Sequence, residues 1–156
     1  MISIQPFTIE NKEVTLDIIH TTVKTCYPEF YSPEVIDFFI EYHNEESLLK
    51  RHQSGEVYNL LYKSSIVGTG FLVEEELGGL YVLPEFQNKS LGAHMLHFLL
   101  DRARKKKLHK VWLDATPNSK RFYLNNGFTL QKEETMFVDD KYPLLYYIME
   151  YYFTIH

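Results

Sequence analysis

The stretch LYVLPEFQNKSLGAHM, residues 80–95, most constrains how this chain of 156 residues can fold. It begins as a β-rich run that Pro84 ends, and it closes as an amphipathic helix with Leu91 and Met95 on one face. The residues between, 87–92, are mostly small or polar and include no carboxylate. Because a helix N-terminus exposes about four unpaired backbone N–H groups and roughly half a positive charge, this loop is suited to bind a phosphate.

Two common phosphate-binding loops are excluded. The Walker pattern needs a Gly-Lys pair before Ser or Thr, and the chain contains no such pair. The dinucleotide fingerprint needs a third glycine after Gly68 and Gly70, but Val73 stands at that position. The Gly68 to Val73 run also belongs to a β-rich segment and does not open a helix.

The order of the segments predicts the fold class. Helical spacing covers residues 10–25, and two further helices are capped by Ser32 and Asn44, the second ending at Gly55. From residue 56 onward, β-rich runs dominate and two helices interrupt them. We therefore predict one domain over residues 1–156, of the α+β (mixed α/β) class, with a single sheet.

Composition narrows the function classes. The net charge of −5 disfavours nucleic acid as a partner, and no apolar run approaches the roughly 18 residues of a membrane span. The single cysteine, Cys26, excludes an internal disulfide and fits a reducing compartment. The first residues lack the pattern of a signal peptide. We expect a cytoplasmic protein that binds neither nucleic acid nor membrane.

Charge is unevenly distributed along the chain. Residues 25–49 contain six acids and neither Lys nor Arg, whereas residues 85–110 contain seven bases and two acids. The acids are Glu29, Glu34, Asp37, Glu41, Glu45 and Glu46. One end of the molecule could attract a cation and the other an anion, although two solvated helix faces would give the same pattern.

The loop residues Val82, Pro84, Gln87, Gly92 and Ala93 resemble the acyl-CoA-binding motif of the GNAT superfamily of N-acetyltransferases. That motif is a strand ending in Val-x-Pro, then Gln or Arg, two residues, Gly, one residue, and Gly or Ala. Val82, Pro84, Gln87 and Gly92 stand at the expected spacing, Ala93 follows Gly92 directly, and Ser90 occupies the position of the first glycine.

A second GNAT motif is similar to LDATPNSKRFYLNNGF, residues 113–128, in which a strand precedes a helix that contains Tyr123 and closes at Gly127-Phe128. The resemblance covers roughly residues 55–150. It implies a GNAT-like single twisted, mostly antiparallel sheet with helices on both faces and a splayed central strand pair.

The resemblance also implies a set of acetyl-CoA-binding residues. Backbone amides of residues 87–93 would hold the pyrophosphate, and the Val82 amide would polarise the thioester carbonyl. Either Thr116 or Asn118 would contact the pantetheine arm. The implied cofactor-binding residues are Leu80, Val82, Gln87, Asn88, Lys89, Ser90, Leu91, Gly92, Ala93, Asn118 and Tyr123.

Ser90 departs from the family pattern, because GNAT members usually have glycine there. If the backbone at this position requires a positive φ, serine strains it by about 1 kcal/mol or more. If glycine serves only to let phosphate approach closely, serine is tolerated and its hydroxyl could cap the helix. We expect tolerance.

Acid–base chemistry is assigned by the resemblance to Tyr123 and to a glutamate. Tyr123 would donate to the departing thiolate, either as a hydrogen-bond donor or, with a lowered pKa, as an acid. Glu74 and Glu76 are the candidate bases because strand alternation places them on one face, with Glu75 on the other. Asp114 is a further candidate.

The resemblance therefore predicts transfer of acetyl from acetyl-CoA to a primary amine of a small molecule or peptide, by direct attack in a ternary complex. The acidic segment suggests a cationic acceptor. Ser90 and the glycines Gly78 and Gly79 fit an alternative, a CoA-binding regulatory module with little or no turnover. We predict no metal site at His94, His97 and Asp101. The aromatic C-terminal run makes a homodimer plausible, and it could also line an acceptor pocket.

Overall fold

Seven β-strands and five α-helices make up the computed structural model, which describes residues 1–154. The strands are β1 (Ile2–Pro6), β2 (Glu56–Tyr62), β3 (Ser65–Val73), β4 (Glu76–Val82), β5 (Lys110–Ala115), β6 (Thr129–Val138) and β7 (Tyr142–Tyr152). The helices are α1 (Lys12–Cys26), α2 (Pro33–Tyr42), α3 (Glu45–Ser54), α4 (Leu91–Lys105) and α5 (Lys120–Asn125). Within residues 1–154, none of the helices has the length and apolar character needed to cross a bilayer.

The strands form one sheet in the order β1-β2-β3-β4-β5-β7-β6. All neighbours are antiparallel except β4 and β5, which run parallel and pair only at Glu76 and Trp112 within the described residues. There the Trp112 amide donates a hydrogen bond to the Glu75 carbonyl at 2.9 Å. Beyond this pair the two strands separate, and we call the resulting gap the seam. The mixed α/β class, the mostly antiparallel sheet and the splayed central pair are confirmed.

Helices cover both faces of the sheet. On one face α4 packs through Leu91, Met95 and Leu99 onto a core that includes Leu113 of β5 and Tyr123 of α5. On the other face α1 and α2 enclose a second core, and α3 with the start of α1 encloses a third. Burial of these apolar side chains on both faces holds β4 and β5 in one sheet although almost no backbone hydrogen bonds join them.

Local sequence signals set the helix boundaries as predicted. The Ser32 hydroxyl accepts a hydrogen bond from the Val35 amide at 3.4 Å, and the Asn44 side chain accepts one from the Ser47 amide at 2.9 Å. These caps satisfy backbone donors that have no partner inside the first turn. They start α2 and α3 at the residues where the sequence placed them.

Two glycines shape β4 beside the seam. Gly79 has φ +56°, a conformation that L side chains rarely adopt, and the β3–β4 register shifts between Thr69 and Phe71. A Cβ at Gly78 or Gly79 would lie 2.9 Å or 2.6 Å from the ring of Phe71. Both glycines are therefore required by the bulge in β4 and by the packing of Phe71.

Candidate active site

A cleft of about 1020 Å³ opens at the seam, between α1 and the N-terminal end of α4. We call it the seam cleft. Its walls include the C-terminal half of β4, the loop 87–93, the end of β5 and one side of α5. The loop suited to bind a phosphate therefore lies in the wall of this cavity.

The first turn of α4 presents backbone donors to the seam cleft. The first hydrogen bond of the helix runs from the His94 amide to the Ser90 carbonyl at 3.1 Å. The amides of residues 91–93 come before this bond and therefore have no acceptor within the helix. A Cβ at Gly92 would meet only the Phe122 ring, at an ordinary 3.5 Å, among the described residues. Because protein packing does not require glycine here, the missing side chain instead leaves room for a ligand. This cradle fits a diphosphate.

Ser90 precedes α4 with φ +63° and ψ 14°, in the left-handed region. The expectation that this position needs no positive φ is therefore wrong, and serine costs roughly 1 kcal/mol of backbone strain there. Its hydroxyl makes no capping hydrogen bond, so that suggested compensation is also absent. Asn88 has φ +64° as well, which makes the loop a tight turn that bends the chain into the helix.

Val82 lies where β4 turns away from β5. The Leu83 amide donates to the Val67 carbonyl at 2.9 Å, so alternation along the strand directs the Val82 amide and carbonyl away from β3 and toward the seam. The Gln87 side chain donates to the Val82 carbonyl at 2.9 Å and fastens the loop to the strand. This leaves the Val82 amide as a donor on the cleft side.

Tyr123 closes the opposite wall of the seam cleft. Its ring packs edge-on against Phe122 and Phe128, and its side chain is only 6% exposed. No hydrogen-bond partner for its hydroxyl is found among the described residues. Burial raises the pKa of Tyr123 far above its ordinary value of 10.0. Of the two predicted roles, the neutral hydrogen-bond donor fits this environment, and the acid with a lowered pKa does not.

A second cavity of about 220 Å³ lies across the seam from the cleft, and we call it the aromatic pocket. Its apolar walls come mainly from α2, β6 and β7, and its polar walls come from α3, β4 and β5. The apolar side chains include Phe38, Phe39, Tyr42, Phe71, Leu77, Met136, Leu144 and Tyr146. The C-terminal aromatic run thus contributes Leu144 and Tyr146 to this pocket.

Two carboxylates, Glu76 and Asp114, face the aromatic pocket from either side of the seam. Burial, followed by repulsion from Asp114, raises the pKa of Glu76, while Arg51 partly opposes the change. Burial also raises the pKa of Asp114. Raised carboxyl pKa values in a cavity are typical of groups that accept a proton at neutral pH.

Glu74 does not share a strand face with Glu76. It lies in the turn between β3 and β4 with φ +54°, exposed, and lines neither cavity. The expected alternation of side chains between the two strand faces fails because residues 74 and 75 form the turn between β3 and β4. The sequence pattern could not distinguish this turn from the strand end. Glu76, the first residue of β4, is the glutamate that reaches the site.

A chain of polar side chains connects the aromatic pocket with the seam cleft. Arg51 Nη1 lies 3.2 Å from His43 Nδ1, His43 Nε2 lies 3.1 Å from the Tyr81 hydroxyl, and that hydroxyl lies 3.3 Å from the Tyr27 hydroxyl. Because arginine can only donate, His43 Nδ1 accepts and Nε2 carries the ring proton. Burial and the charge of Arg51 lower the pKa of His43 to about 3.

His43 is therefore neutral, with both ring nitrogens occupied, and is not available as a base. Sequence reasoning missed this chain, because its members are contributed by α1, α3, β4 and the α2–α3 junction. Tyr81 is 38 residues from His43 and 54 from Tyr27. No local pattern signals contacts at such separations.

The sequence profile described as "Acetyltransferase (GNAT) domain" matches residues 27–147, well over half of the chain. This chain belongs to the GNAT acetyltransferase family. Comparison with curated proteins gives no match.

Solved GNAT structures resemble this domain throughout its length. A GCN5-related N-acetyltransferase from Rhodopseudomonas palustris has a TM-score of 0.88 at 18% identity, over 97% of this chain and 95% of that one. The PaiA N-acetyltransferase from Thermoplasma acidophilum, in complex with coenzyme A, has a TM-score of 0.81 at 23% identity, over 98% and 99%. The ribosomal-protein-S18-alanine N-acetyltransferase from Escherichia coli has a TM-score of 0.75 at 15% identity, over 100% and 96%. At these identities the likeness establishes the fold.

Within this GNAT domain the predicted cofactor-binding residues gather around one cavity. All of them line the seam cleft except Lys89, which is exposed. Thr116 and Asn118 both line it, and the Thr116 hydroxyl donates to the Asn118 side chain at 2.6 Å. The choice between these two as a pantetheine contact therefore stays open.

The other sequence candidates are accounted for by local contacts. Cys26 is half-buried at the seam cleft, with its sulfur 3.7 Å from the Gln87 amide nitrogen. His97 contacts Asn126 at 3.2 Å, and Asp101 pairs with Lys105 at 3.1 Å. Among residues 1–154, no group of three or more His, Cys, Asp or Glu is arranged to hold a metal ion.

Proposed function

We propose that this GNAT domain transfers the acetyl group of acetyl-CoA to a primary amine, by direct attack within a ternary complex. The observation that carries the proposal is that the seam cleft and the aromatic pocket meet at the gap between β4 and β5. Residues that line both cavities are Tyr27, Gly78, Gly79, Tyr81, Asp114 and Thr116. A donor and an acceptor bound on the two sides of the gap would reach each other without a covalent enzyme intermediate.

The seam cleft suits acetyl-CoA, which supplies an activated thioester when it is bound. The amides of residues 91–93 and the open space at Gly92 would receive the diphosphate. The Val82 amide, directed into the seam, would donate to the carbonyl oxygen as negative charge develops there. Features of the cleft thus match two separate parts of one elongated ligand, its diphosphate and its thioester.

The aromatic pocket suits the amine. An aliphatic amine is mostly protonated at neutral pH and must lose a proton before it can attack. Glu76 and Asp114 would first attract the ammonium group and then accept that proton, since burial has raised the pKa of both carboxyls. Because Glu76 is the more strongly influenced by its neighbour, we assign the role of base to Glu76.

The step that releases the CoA thiolate involves Tyr123. A bond forms between the amine nitrogen and the carbonyl carbon, the C–S bond breaks, and its electron pair leaves on sulfur. The Tyr123 hydroxyl would donate a hydrogen bond to that sulfur while keeping its own proton, because full transfer from a phenol to a thiolate is uphill by about 2 kcal/mol. Of the two protons that the ammonium group loses, one ends on the thiol and the other in solvent.

The acidic segment identified in the sequence contributes little to this site. Of its six acids only Glu29 lines the seam cleft, and none lines the aromatic pocket. Glu45 pairs with Lys12, and Glu41 contacts Asn44. Attraction of a cationic amine therefore rests on Glu76 and Asp114.

One sequence argument for a CoA-binding module without turnover, the presence of Gly78 and Gly79, no longer holds. Gly78 and Gly79 are explained by the bulge in β4 and by Phe71, and therefore do not indicate a lost catalytic side chain. The strain at Ser90 is small compared with the binding energy that a helix N-terminus and several amides offer a diphosphate.

Two measurements test the proposal. Acetyl-CoA and CoA should raise the thermal unfolding midpoint, by an amount equivalent to about 2.7 kcal/mol at a hundredfold excess over Kd. Release of CoA thiol should then depend on an added primary amine. Stabilisation without thiol release from any amine would identify a binding module, and the absence of both would contradict CoA binding itself.

A further inference from the structure

Arg51 is the unexplained charge in the aromatic pocket. Its guanidinium carbon lies 4.7 Å from the centroid of the Phe71 ring and 5.8 Å from that of Tyr42. Its described hydrogen bond is to His43, which is neutral and does not cancel its charge. Among residues 1–154 no carboxylate forms an ion pair with Arg51. The aromatic rings hold the guanidinium in place and leave most of its five donors free.

The pocket also limits the size and polarity of its ligand. Its volume of about 220 Å³ is below the roughly 300–1,000 Å³ of pockets that hold drug-sized molecules. A drug-sized antibiotic would exceed it. The walls opposite the charges are aromatic or aliphatic, which favours a ligand with one apolar side.

Opposite charges line this small space. Glu76 and Asp114 are positioned for an ammonium group, and Arg51 is positioned for an anion. Arg51 is close enough to Glu76 to lower its pKa, so a ligand that meets both charges carries its own two charges close together. An amine and a carboxylate on one small carbon skeleton satisfy this requirement, and a planar guanidinium binds a carboxylate with two parallel hydrogen bonds.

We propose that the acceptor is a free amino acid with an apolar or aromatic side chain, whose carboxylate binds Arg51 and whose amine lies between Glu76 and Asp114. This inference rests on the proposed function and adds the substrate class. The side chain packs among Phe38, Phe39 and Tyr146. The amine nitrogen then attacks the thioester with the same bond changes and proton balance as above, and the product is an N-acetyl amino acid.

The test compares three amines that differ only in the group attached to the carbon that carries the amine. Phenylalanine has the carboxylate, phenethylamine lacks it, and phenylalaninamide replaces it with a neutral amide as at a peptide N-terminus. We expect kcat/KM from thiol release to be at least about tenfold higher for phenylalanine than for the other two, as the loss of a charge-assisted hydrogen bond predicts. Leucine compared with isopentylamine provides the same contrast for an aliphatic side chain.

The variant Arg51→Gln keeps a donor for His43 but removes the charge. We expect it to reduce the preference for phenylalanine over phenethylamine to about one, and Arg51→Lys to retain part of it. Lys50→Gln is the matched control, because Lys50 is the exposed neighbour on α3 and lines neither cavity. It should keep the full preference. Thermal unfolding with acetyl-CoA verifies that each variant is folded.

The outcomes separate this inference from the proposed function. If phenethylamine or phenylalaninamide reacts as well as phenylalanine, or if Arg51→Gln keeps the preference, the amino acid inference is overturned while amine acetylation stands. If only amines without a carboxylate, such as spermidine, release thiol, the inference is overturned in the same way. If no amine of any class releases thiol although acetyl-CoA binds, the proposed function fails as well.

Discussion

The seam cleft and the aromatic pocket lie on opposite sides of the same gap, yet they are built from different parts of the chain. The part of the cleft suited to a diphosphate uses backbone groups from one continuous stretch, residues 80–93, while α1, β5 and residues 116–126 complete the walls. The pocket is lined by side chains from α2, α3 and all five strands from β3 to β7, together with Tyr27, His43 and Thr116. The difference teaches that a main-chain binding surface leaves a local sequence signature, whereas a surface assembled from distant side chains does not.

The largest expected effect is on the cleft side. Tyr123→Phe should lower kcat by about a hundredfold at saturating substrates, because the departing sulfur loses its hydrogen-bond donor. The unfolding midpoint should change little, since the hydroxyl has no described partner. Tyr151→Phe is the control: this tyrosine packs on Phe128 in the same region but lines neither cavity. Equal kcat values for the two variants would remove Tyr123 from the mechanism.

The second largest effect is expected in the aromatic pocket. Glu76→Gln should reduce kcat/KM by between about tenfold and a hundredfold, because Asp114 and water only partly replace the base. It should also stabilise the folded protein at neutral pH. The pKa of Glu76 is raised in the folded state, so ionisation of Glu76 lowers the free energy of unfolding as pH rises above 4.5. The stabilisation of Glu76→Gln relative to the wild type should therefore vanish below that pH.

A pH profile sharpens this assignment. In the wild type the acid limb of kcat/KM should lie above pH 4.5, and Asp114→Asn should move it to lower pH by removing a repulsive charge. Glu41→Gln, at an exposed residue outside both cavities, is the control. A limb that stays in place in Asp114→Asn would show that Glu76 is not the group that titrates.

A smaller effect tests the main-chain cradle. Gly92→Val should weaken acetyl-CoA binding by about tenfold, or 1.4 kcal/mol, because the added side chain enters the space above the first turn of α4. Stability should be nearly unchanged, since protein atoms there leave room for a Cβ. Gly79→Ala offers the contrast, because its Cβ would meet Phe71 at 2.6 Å and the domain itself should be destabilised. Calorimetry with acetyl-CoA measures the first effect and thermal unfolding the second.

The smallest effect concerns Ser90. Ser90→Gly relieves the left-handed backbone strain but increases the freedom of the unfolded chain, so the free energy of unfolding should change by less than about 1 kcal/mol. Ser90→Ala keeps the strain and removes only the hydroxyl. A loss of CoA affinity in both variants would assign the hydroxyl a ligand contact that its geometry does not show.

The fold and the cleft could be predicted because their determinants are close together in sequence. Caps at Ser32 and Asn44, the proline after β4 and the glycine at position 92 each act within a few residues. Ser90 was predicted wrongly because nothing in the sequence gives its φ, and Glu74 because a turn and a strand end look alike. The chain of Arg51, His43, Tyr81 and Tyr27 could not be predicted, since its contacts exist only after the sheet and helices have assembled.

One residue pair, Glu76 with Trp112, joins the two halves of the sheet along β4 and β5. Exchanging side chains on α2 or β7 would therefore leave the ladder of β3 and β4, and the loop that follows it, undisturbed. Side chains around the aromatic pocket can therefore change while the half of the sheet that carries the loop 87–93 keeps its shape.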